Sequence, residues 1–348
     1  MSDSHPTSLR LPAEWEHNCS VLLAWPHEDT DWSYMLSDVR KCYNELAHAI
    51  APYARLIVVA PDTTDARDAL SDITPDRALF VDMPTNDTWT RDYGPLTVEC
   101  ADGTMNALDF CFNGWGLKFA SCFDNLVTSR LAERKIITGP TVNCRDFVLE
   151  GGGIESDGKG TLLTTSRCQL SPNRNATLSR GQIEAQLKGR FGASRVLWLD
   201  HGYLAGDDTD SHIDTLARFA PNDSIVFTGC SDPADEHFAE LEMMKREIQE
   251  SRTAEGLPYN LFELPLPDAI YDDDSQRLPA TYANFLALPS VVLVPTYGQP
   301  RKDELACRII SVAFERPTVA VDCRALICQH GSLHCATMQI PNNILVRI

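Results

Sequence analysis

The side chains best suited to chemistry gather in four short segments of the 348-residue chain. The first, Asn86-Asp87-Thr88-Trp89-Thr90-Arg91-Asp92-Tyr93-Gly94-Pro95, puts two acids, a Trp and an Arg into one loop. A loop Trp is costly to leave in water, so Trp89 is expected to roof something flat. A carboxylate beside an aromatic plane can hold a planar guanidinium through bidentate hydrogen bonds and cation–π contact. The plainer reading is a surface turn closed by an Asp87–Arg91 pair. The second segment, Leu149-Glu150-Gly151-Gly152-Gly153-Ile154, lets the backbone approach a neighbour closely or take positive φ. It lacks the Lys and the spacing of a phosphate loop, and a glycine turn into a hairpin also accounts for it.

The third segment is Gly206-Asp207-Asp208-Thr209-Asp210-Ser211-His212-Ile213-Asp214. Its acids invite a calcium reading, but the glycine and terminal glutamate that an EF-hand loop requires are missing, so no metal is expected. If the backbone is extended, His212 and Asp214 point the same way. They would then form a general acid/base beside a substrate-holding carboxylate. The fourth is Gln329-His330-Gly331-Ser332-Leu333-His334-Cys335-Ala336-Thr337. Eleven of the twelve cysteines are expected as small buried hydrophobes. Cys335 differs because a Gly-Ser turn and a His precede it. A cysteine nucleophile needs only a His and an orienting acid, which the fold can bring from elsewhere in the chain.

Helices and strands must position these loops. Ser37 is expected to cap a helix carrying Val39, Cys42, Leu46 and Ile50 on one face, followed by a strand over 56–59. Ser179 starts a second helix with Ile183, Leu187 and Phe191 on one stripe, ended by Gly192 and followed by a strand over 196–199. Further helices are expected over about 234–250 and 303–314, the latter leading into a strand over 318–321. Asp102-Gly103 and Asp157-Gly158 each separate two apolar runs, the strongest short-range hairpin signal. The theme is helix, strand, then a polar loop. Asp92, His212 and Cys335 lie in such loops about 120 residues apart, an architectural repeat without sequence identity.

Composition narrows the partners. The formal net charge is −19, from 30 Lys+Arg against 49 Asp+Glu, so the surface repels phosphate backbones and anionic membranes and attracts small cations. Nucleic acid and membrane partners are not expected. The most apolar stretch, 284–295, is broken by Pro289 and too short to span a bilayer. The polar stretch from Met1 to Arg10 has no apolar core of a secretory leader. With no C-x-x-C pair, the cysteines read as reduced cytoplasmic thiols.

In order along the chain stand Trp25-Pro26, Asn86-Asp87-x-Trp89-x-Arg91-Asp92-x-Gly94-Pro95, Phe112-Asn113-x-Trp115-Gly116, Glu150-Gly151-Gly152, a C-x-L-x-x-N-R-N run from Cys168 to Asn175, Asp208-Thr209-Asp210-x-His212-Ile213-Asp214, Ala283-Asn284-Phe285 and Gly331-Ser332-x-His334-Cys335. Together these resemble the agmatine deiminase family, which includes the bacterial-type peptidylarginine deiminases. The resemblance runs from about Pro12 to Pro341. It implies a pentein fold, an α/β-propeller of repeated ββαβ modules around a central active site, with residues 1–348 as one catalytic domain. It implies hydrolysis of agmatine to N-carbamoylputrescine and ammonia through a covalent cysteine thiouronium, without cofactor or metal, in putrescine metabolism. Carried over onto this chain, Cys335 is the nucleophile and His212 the general acid and base. Asp92 and Asp214 hold the guanidinium, Glu150 orients His212, and Trp89 and Asp208 line the substrate pocket.

The chain departs from the family at Ser211, Leu117 and His330, where Gly is usual. These departures question substrate choice more than reaction type. Two alternatives stand beside agmatine hydrolysis. One is a deiminase of peptidylarginine or another guanidine, and the other is an inactive pentein that binds guanidino ligands or a protein. The expected partner is a small cationic guanidine; a homo-oligomer is compatible with every reading.

Overall fold

The computed structural model describes residues 9–347 and is a mixed α/β fold built on five sheets. Each sheet contains the same unit: an antiparallel strand pair, a helix, and a third strand returning parallel to the second. In the first, Met338–Pro341 pairs antiparallel with Cys19–Ala24, helix Leu36–Ile50 follows, and Arg55–Ala60 returns parallel, with Ala78–Asp82 beyond it. The second is Leu96–Cys100, Met105–Cys111, helix Val127–Glu133 and Thr141–Val148. The third is Ile154–Ser156, Thr161–Thr165, helix Arg180–Phe191 and Arg195–Leu199. The fourth is Ala217–Ala220, Ser224–Thr228, helix Phe238–Glu250 and Asn260–Leu264. The fifth is Leu286–Leu288, Val291–Thr296, helix Pro300–Phe314 and Thr318–Asp322. The expected ββαβ module thus occurs five times, and strands from near the two ends of the chain share the first sheet.

The helices follow their apolar stripes. Val39, Cys42, Leu46 and Ile50 are all buried on one face of the first helix, as are Ile183, Leu187 and Phe191 on one face of the third. The parallel strands read as continuous apolar runs because both faces are covered, with Leu56 to Ala60 and Val291 to Val294 fully buried. Both Asp-Gly hairpins form. Helix ends differ from the sequence expectation. Ser37 lies inside its helix, which a 3-10 turn over Asp31–Met35 feeds directly, so no cap is needed there. The fourth helix begins at Phe238 rather than near 234, and the fifth begins three residues early because Pro300 is suited to a first turn. Ser179 does start its helix, with the Gln182 side chain accepting from the Ser179 amide at 2.9 Å.

Among the described residues no helix is long and apolar enough to cross a membrane. The leader argument, made over Met1 to Arg10, falls largely outside the described residues.

Candidate active site

Five connections link one unit to the next, and every one delivers a side chain to the same place. Asp92 sits in the short helix Thr90–Tyr93 between the first and second sheets. Glu150 precedes the 3-10 turn Gly151–Gly153 between the second and third. His212 and Asp214 lie between the third and fourth, Asn284 between the fourth and fifth, and Cys335 between the fifth sheet and the returning strand Met338–Pro341. The 120-residue spacing seen in the sequence therefore skips alternate connections.

Gly152 marks the convergence. A Cβ there would lie 2.7 Å from His212 Nδ1, 2.9 Å from Asp92 Oδ1 and 3.0 Å from Asp214 Oδ2, so only glycine leaves these three groups room. Its amide donates to Asp92 Oδ1 at 3.0 Å, while Trp115 Nε1 donates to Oδ2 at 2.8 Å. The backbone at His212 enters a 3-10 turn, Ile213–Thr215, rather than the extended path expected. The turn, not strand alternation, brings His212 and Asp214 to the same point.

Trp89, Asp92, Asp208 and Cys335 line a cavity of about 490 Å³, whose walls also include Trp115, Asp87, Lys118 and His330, with Asp29 and Asp31 exposed at its edge. His212, Asp214 and Glu150 are fully buried and do not line it. Trp89 is buried, its ring tilted at 46° against Trp32 with centroids 5.7 Å apart, and it is pressed against Gly331, where a Cβ would meet it at 2.2 Å. The Asp87–Arg91 pair does not form. Asp87 accepts from the Thr88 amide, and Arg91 turns away to Gln339 and the His334 carbonyl.

Electrostatics set the protonation states. Burial raises Asp92 to about 6 against the pull of His212. Burial alone would lower His212, but Asp92, then Cys168 and Glu150, hold it well above its ordinary value. Burial, then Asp214 and Asp92, push the Cys335 thiol well above the usual range. Asp214 goes the other way: burial would raise it, but the hydrogen bond and charge of His334, with His212 and Arg218, together hold it below its ordinary value. The resting site is thus a protonated imidazole, a neutral thiol and an ionised Asp214 at neutral pH.

Glu150 Oε2 stands 3.9 Å from His212 Nε2, beyond hydrogen-bond range, and is gripped by Arg174 Nε at 2.8 Å. Neither ring nitrogen of His212 has a hydrogen-bond partner. Cys168, taken from sequence as one of the bland buried cysteines, stands at this ring: its sulfur, a His212 nitrogen and a Glu150 oxygen lie within 4.8 Å of one another. The Arg174 cation on Glu150 competes with any metal for that carboxylate, so the trio reads as the support of His212. Asn284, in the Ala283-Asn284-Phe285 motif, is a site residue to which the sequence assigns no role. Its Oδ1 accepts from the Cys335 amide at 3.2 Å and the Cys335 thiol at 3.4 Å, and its Nδ2 donates to Asp214 Oδ2 at 3.2 Å. The signal that could have found it is the repeat itself, since the other four connections each supplied a candidate.

The three departures from glycine share one geometry. Ser211, Leu117 and His330 have φ of 63°, 66° and 66°, the left-handed region that glycine enters without strain.

Known proteins match along the whole length. The family model of Porphyromonas-type peptidyl-arginine deiminases matches residues 10–341. An agmatine deiminase of Stutzerimonas stutzeri is 31% identical, with 95% of each chain covered. A Porphyromonas gingivalis structure, provisionally described as an arginine deiminase, is 47% identical with a TM-score of 0.91, covering 97% of this chain and 100% of its own. A C. jejuni agmatine deiminase, solved as a cysteine-to-serine variant with substrate bound, is 37% identical with a TM-score of 0.89, covering 95% and 96%.

Proposed function

The chain belongs to the Porphyromonas-type peptidyl-arginine deiminase family, and we propose that its own reaction is hydrolysis of agmatine to N-carbamoylputrescine and ammonia, carried by one catalytic domain in the cytoplasm. The observation that carries this is the cavity lined together by Cys335, Asp92 and Trp89, with Asp214 Oδ2 3.9 Å from the sulfur. The agmatine deiminases among its relatives support the substrate.

Guanidinium is a poor electrophile because its charge is delocalised. Asp92 and Asp214 fix it in plane beside the sulfur, which is catalysis by orientation. The bound cation offsets the two carboxylates that hold the thiol neutral, so Cys335 gives up its proton to solvent when substrate arrives and takes one back as the product leaves. The thiolate attacks the guanidinium carbon. His212, protonated at rest, gives its proton to the departing ammonia. The neutral ring then takes a proton from water, which adds to the thiouronium carbon, and the C–S bond breaks to release the ureido product. Glu150, fixed by Arg174, favours the charged His212 ring from 3.9 Å. Trp89 and Asp208 shape the pocket. The acidic edge at Asp29 and Asp31 suits the free ammonium of agmatine and disfavours the carboxylate of free arginine.

The test is ammonia and ureido-product release from agmatine, free arginine and a blocked arginyl peptide, with Cys335→Ala alongside. Turnover of agmatine, lost in the variant, is expected. Turnover of the peptide instead would keep the chemistry and change the substrate, whereas an active Cys335→Ala enzyme would overturn the covalent mechanism.

A further inference from the structure

Neighbouring residues at the site face two different spaces. Asp92 and Cys335 line the substrate cavity. Arg91 and His334 line a second one of about 100 Å³, together with Glu14 and Glu155, and the two cavities share no lining residue. His334 stands in the wall between them. Its Nδ1 is 2.7 Å from Asp214 Oδ2, and its Nε2 is 2.8 Å from Glu14 Oε2. All three side chains are at least nine-tenths buried.

We propose that His334 is a positioning residue, a bridge that ties Asp214 to Glu14 of the rear cavity and sets the direction and charge of the Asp214 carboxylate. The proposal rests on the deiminase reading of the front site. Two geometric facts carry it. First, His334 and Asn284 both address Oδ2 of Asp214, leaving Oδ1 buried and without a partner, which is the oxygen free to accept from a guanidinium. Second, a ring nitrogen 2.8 Å from a carboxylate oxygen needs a hydrogen between them, and Nδ1 needs another toward Asp214. Arg218, which donates to Glu14 and stands 3.1 Å from Nε2, supplies the first, so a ring protonated at Nδ1 alone completes the bridge.

The charged surroundings favour that neutral ring. Arg218 donates to Glu14 and to Glu155 and approaches His334 Nε2 at 3.1 Å, and Arg91 Nε reaches the His334 carbonyl. Burial and the guanidiniums of Arg218 and Arg91 drive the ring toward its neutral form, while Glu14 and Asp214 draw the proton back. Glu14 is itself anchored, with Oε1 accepting from the Ala287 amide at 2.8 Å and Gln339 Nε2 at 2.7 Å. His17 and Cys19 also line the rear cavity, with the Cys19 thiol raised by burial and then by Glu14, while Cys335 feels the bridge through Asp214.

The experiment uses the whole chain with two variants, His334→Gln and Glu14→Gln. The rate of Cys335 alkylation by iodoacetamide is followed against pH, with and without agmatine. Removing the bridge leaves the Asp214 charge less compensated, so the alkylation profile should move up by about one pH unit, the size of shift a lost charge partner gives. In His334→Gln the agmatine concentration that half-protects Cys335 should rise about tenfold, the loss of one charge-assisted contact. Glu14→Gln can keep its contact with the Ala287 amide, so it decides the question if His334→Gln fails to fold. Profiles in either folded variant that superimpose on the parent would overturn the bridge. If the parent releases no ammonia from agmatine, the deiminase reading falls, and the alkylation profiles still decide the bridge.

Discussion

Trp115 donates its indole N–H to Oδ2 of Asp92 at 2.8 Å, from a backbone with φ of 54°. The left-handed turn costs strain, and it aims the indole at a carboxylate that the Gly152 amide holds by its other oxygen. Trp115→Phe keeps most of the buried ring and its edge contact with Phe112, 4.9 Å away, but loses the donor. A hydrogen bond to a charged group is worth about 1.5–3 kcal/mol, so the agmatine KM should rise at least about tenfold with kcat less affected. Steady-state kinetics decide it; an unchanged KM would mean that Asp92 needs no such aim.

Gly152→Ala should be far more severe. The added methyl cannot fit beside His212 Nδ1, Asp92 Oδ1 and Asp214 Oδ2, and displacement of reacting groups by about 1 Å can cost 100-fold. The expected outcome is at least that loss in kcat, with far-ultraviolet circular dichroism unchanged because the turn itself tolerates a side chain.

Much of this arrangement was legible from residues alone. Apolar stripes such as Ile183, Leu187 and Phe191 mark helices because burial demands a face, and Asp157-Gly158 marks a hairpin because few residues take its turn. Cys335 and the His212 and Asp214 pair stand out by residue type, Asp92 and Glu150 take their roles from the resemblance, and the structure sets His212, Asp92 and Asp214 around Gly152. Contacts between distant segments were not legible. Nothing local predicts that Arg91 abandons Asp87 for Gln339, or that Asn284 reaches Cys335 across 51 residues. The 3-10 turn at His212 also escaped, because i and i+2 converge in a strand and His212 reaches Asp214 by a different route.

Asn284→Ala removes the acceptor that holds the Cys335 amide and thiol and a donor to Asp214 at once. Leaving such buried groups unpaired costs about 1–3 kcal/mol each, so kcat/KM should fall about 100-fold. Asn284→Asp should be worse, since a new carboxylate beside Asp214 would hold the thiol neutral more firmly. An aspartate variant as active as the parent would remove Asn284 from the site.

Asp208 trades stability for its place in the pocket. Burial, opposed by His330, raises its carboxyl to about 6, above its unfolded value. A raised carboxyl favours the folded state only while protonated, so ionisation costs stability as pH rises from about 4 to 6, and the cost persists above. Asp208→Asn should therefore melt at a higher temperature than the parent at pH 8 and at nearly the same temperature at pH 4. Calorimetry at the two pH values checks it, and a variant less stable at pH 8 would show that Asp208 gains more from its neighbours than burial takes away.

The acid limb of activity should belong to Asp92. Its carboxyl sits near 6 because burial raises it against the pull of His212 and the Trp115 hydrogen bond, and a guanidinium is held by the ionised form. Asp214, lowered by His334, stays ionised through the same range and contributes no limb there. His212 is held well above its ordinary value and remains the proton donor across neutral pH. Hence kcat/KM for agmatine should fall about tenfold per pH unit below 6, the slope of one essential carboxylate. Protection of Cys335 from alkylation by agmatine should weaken along the same curve, because the limb reports binding. A limb in kcat alone, with protection unchanged down to pH 5, would move the titration from Asp92 to a group in the chemical step.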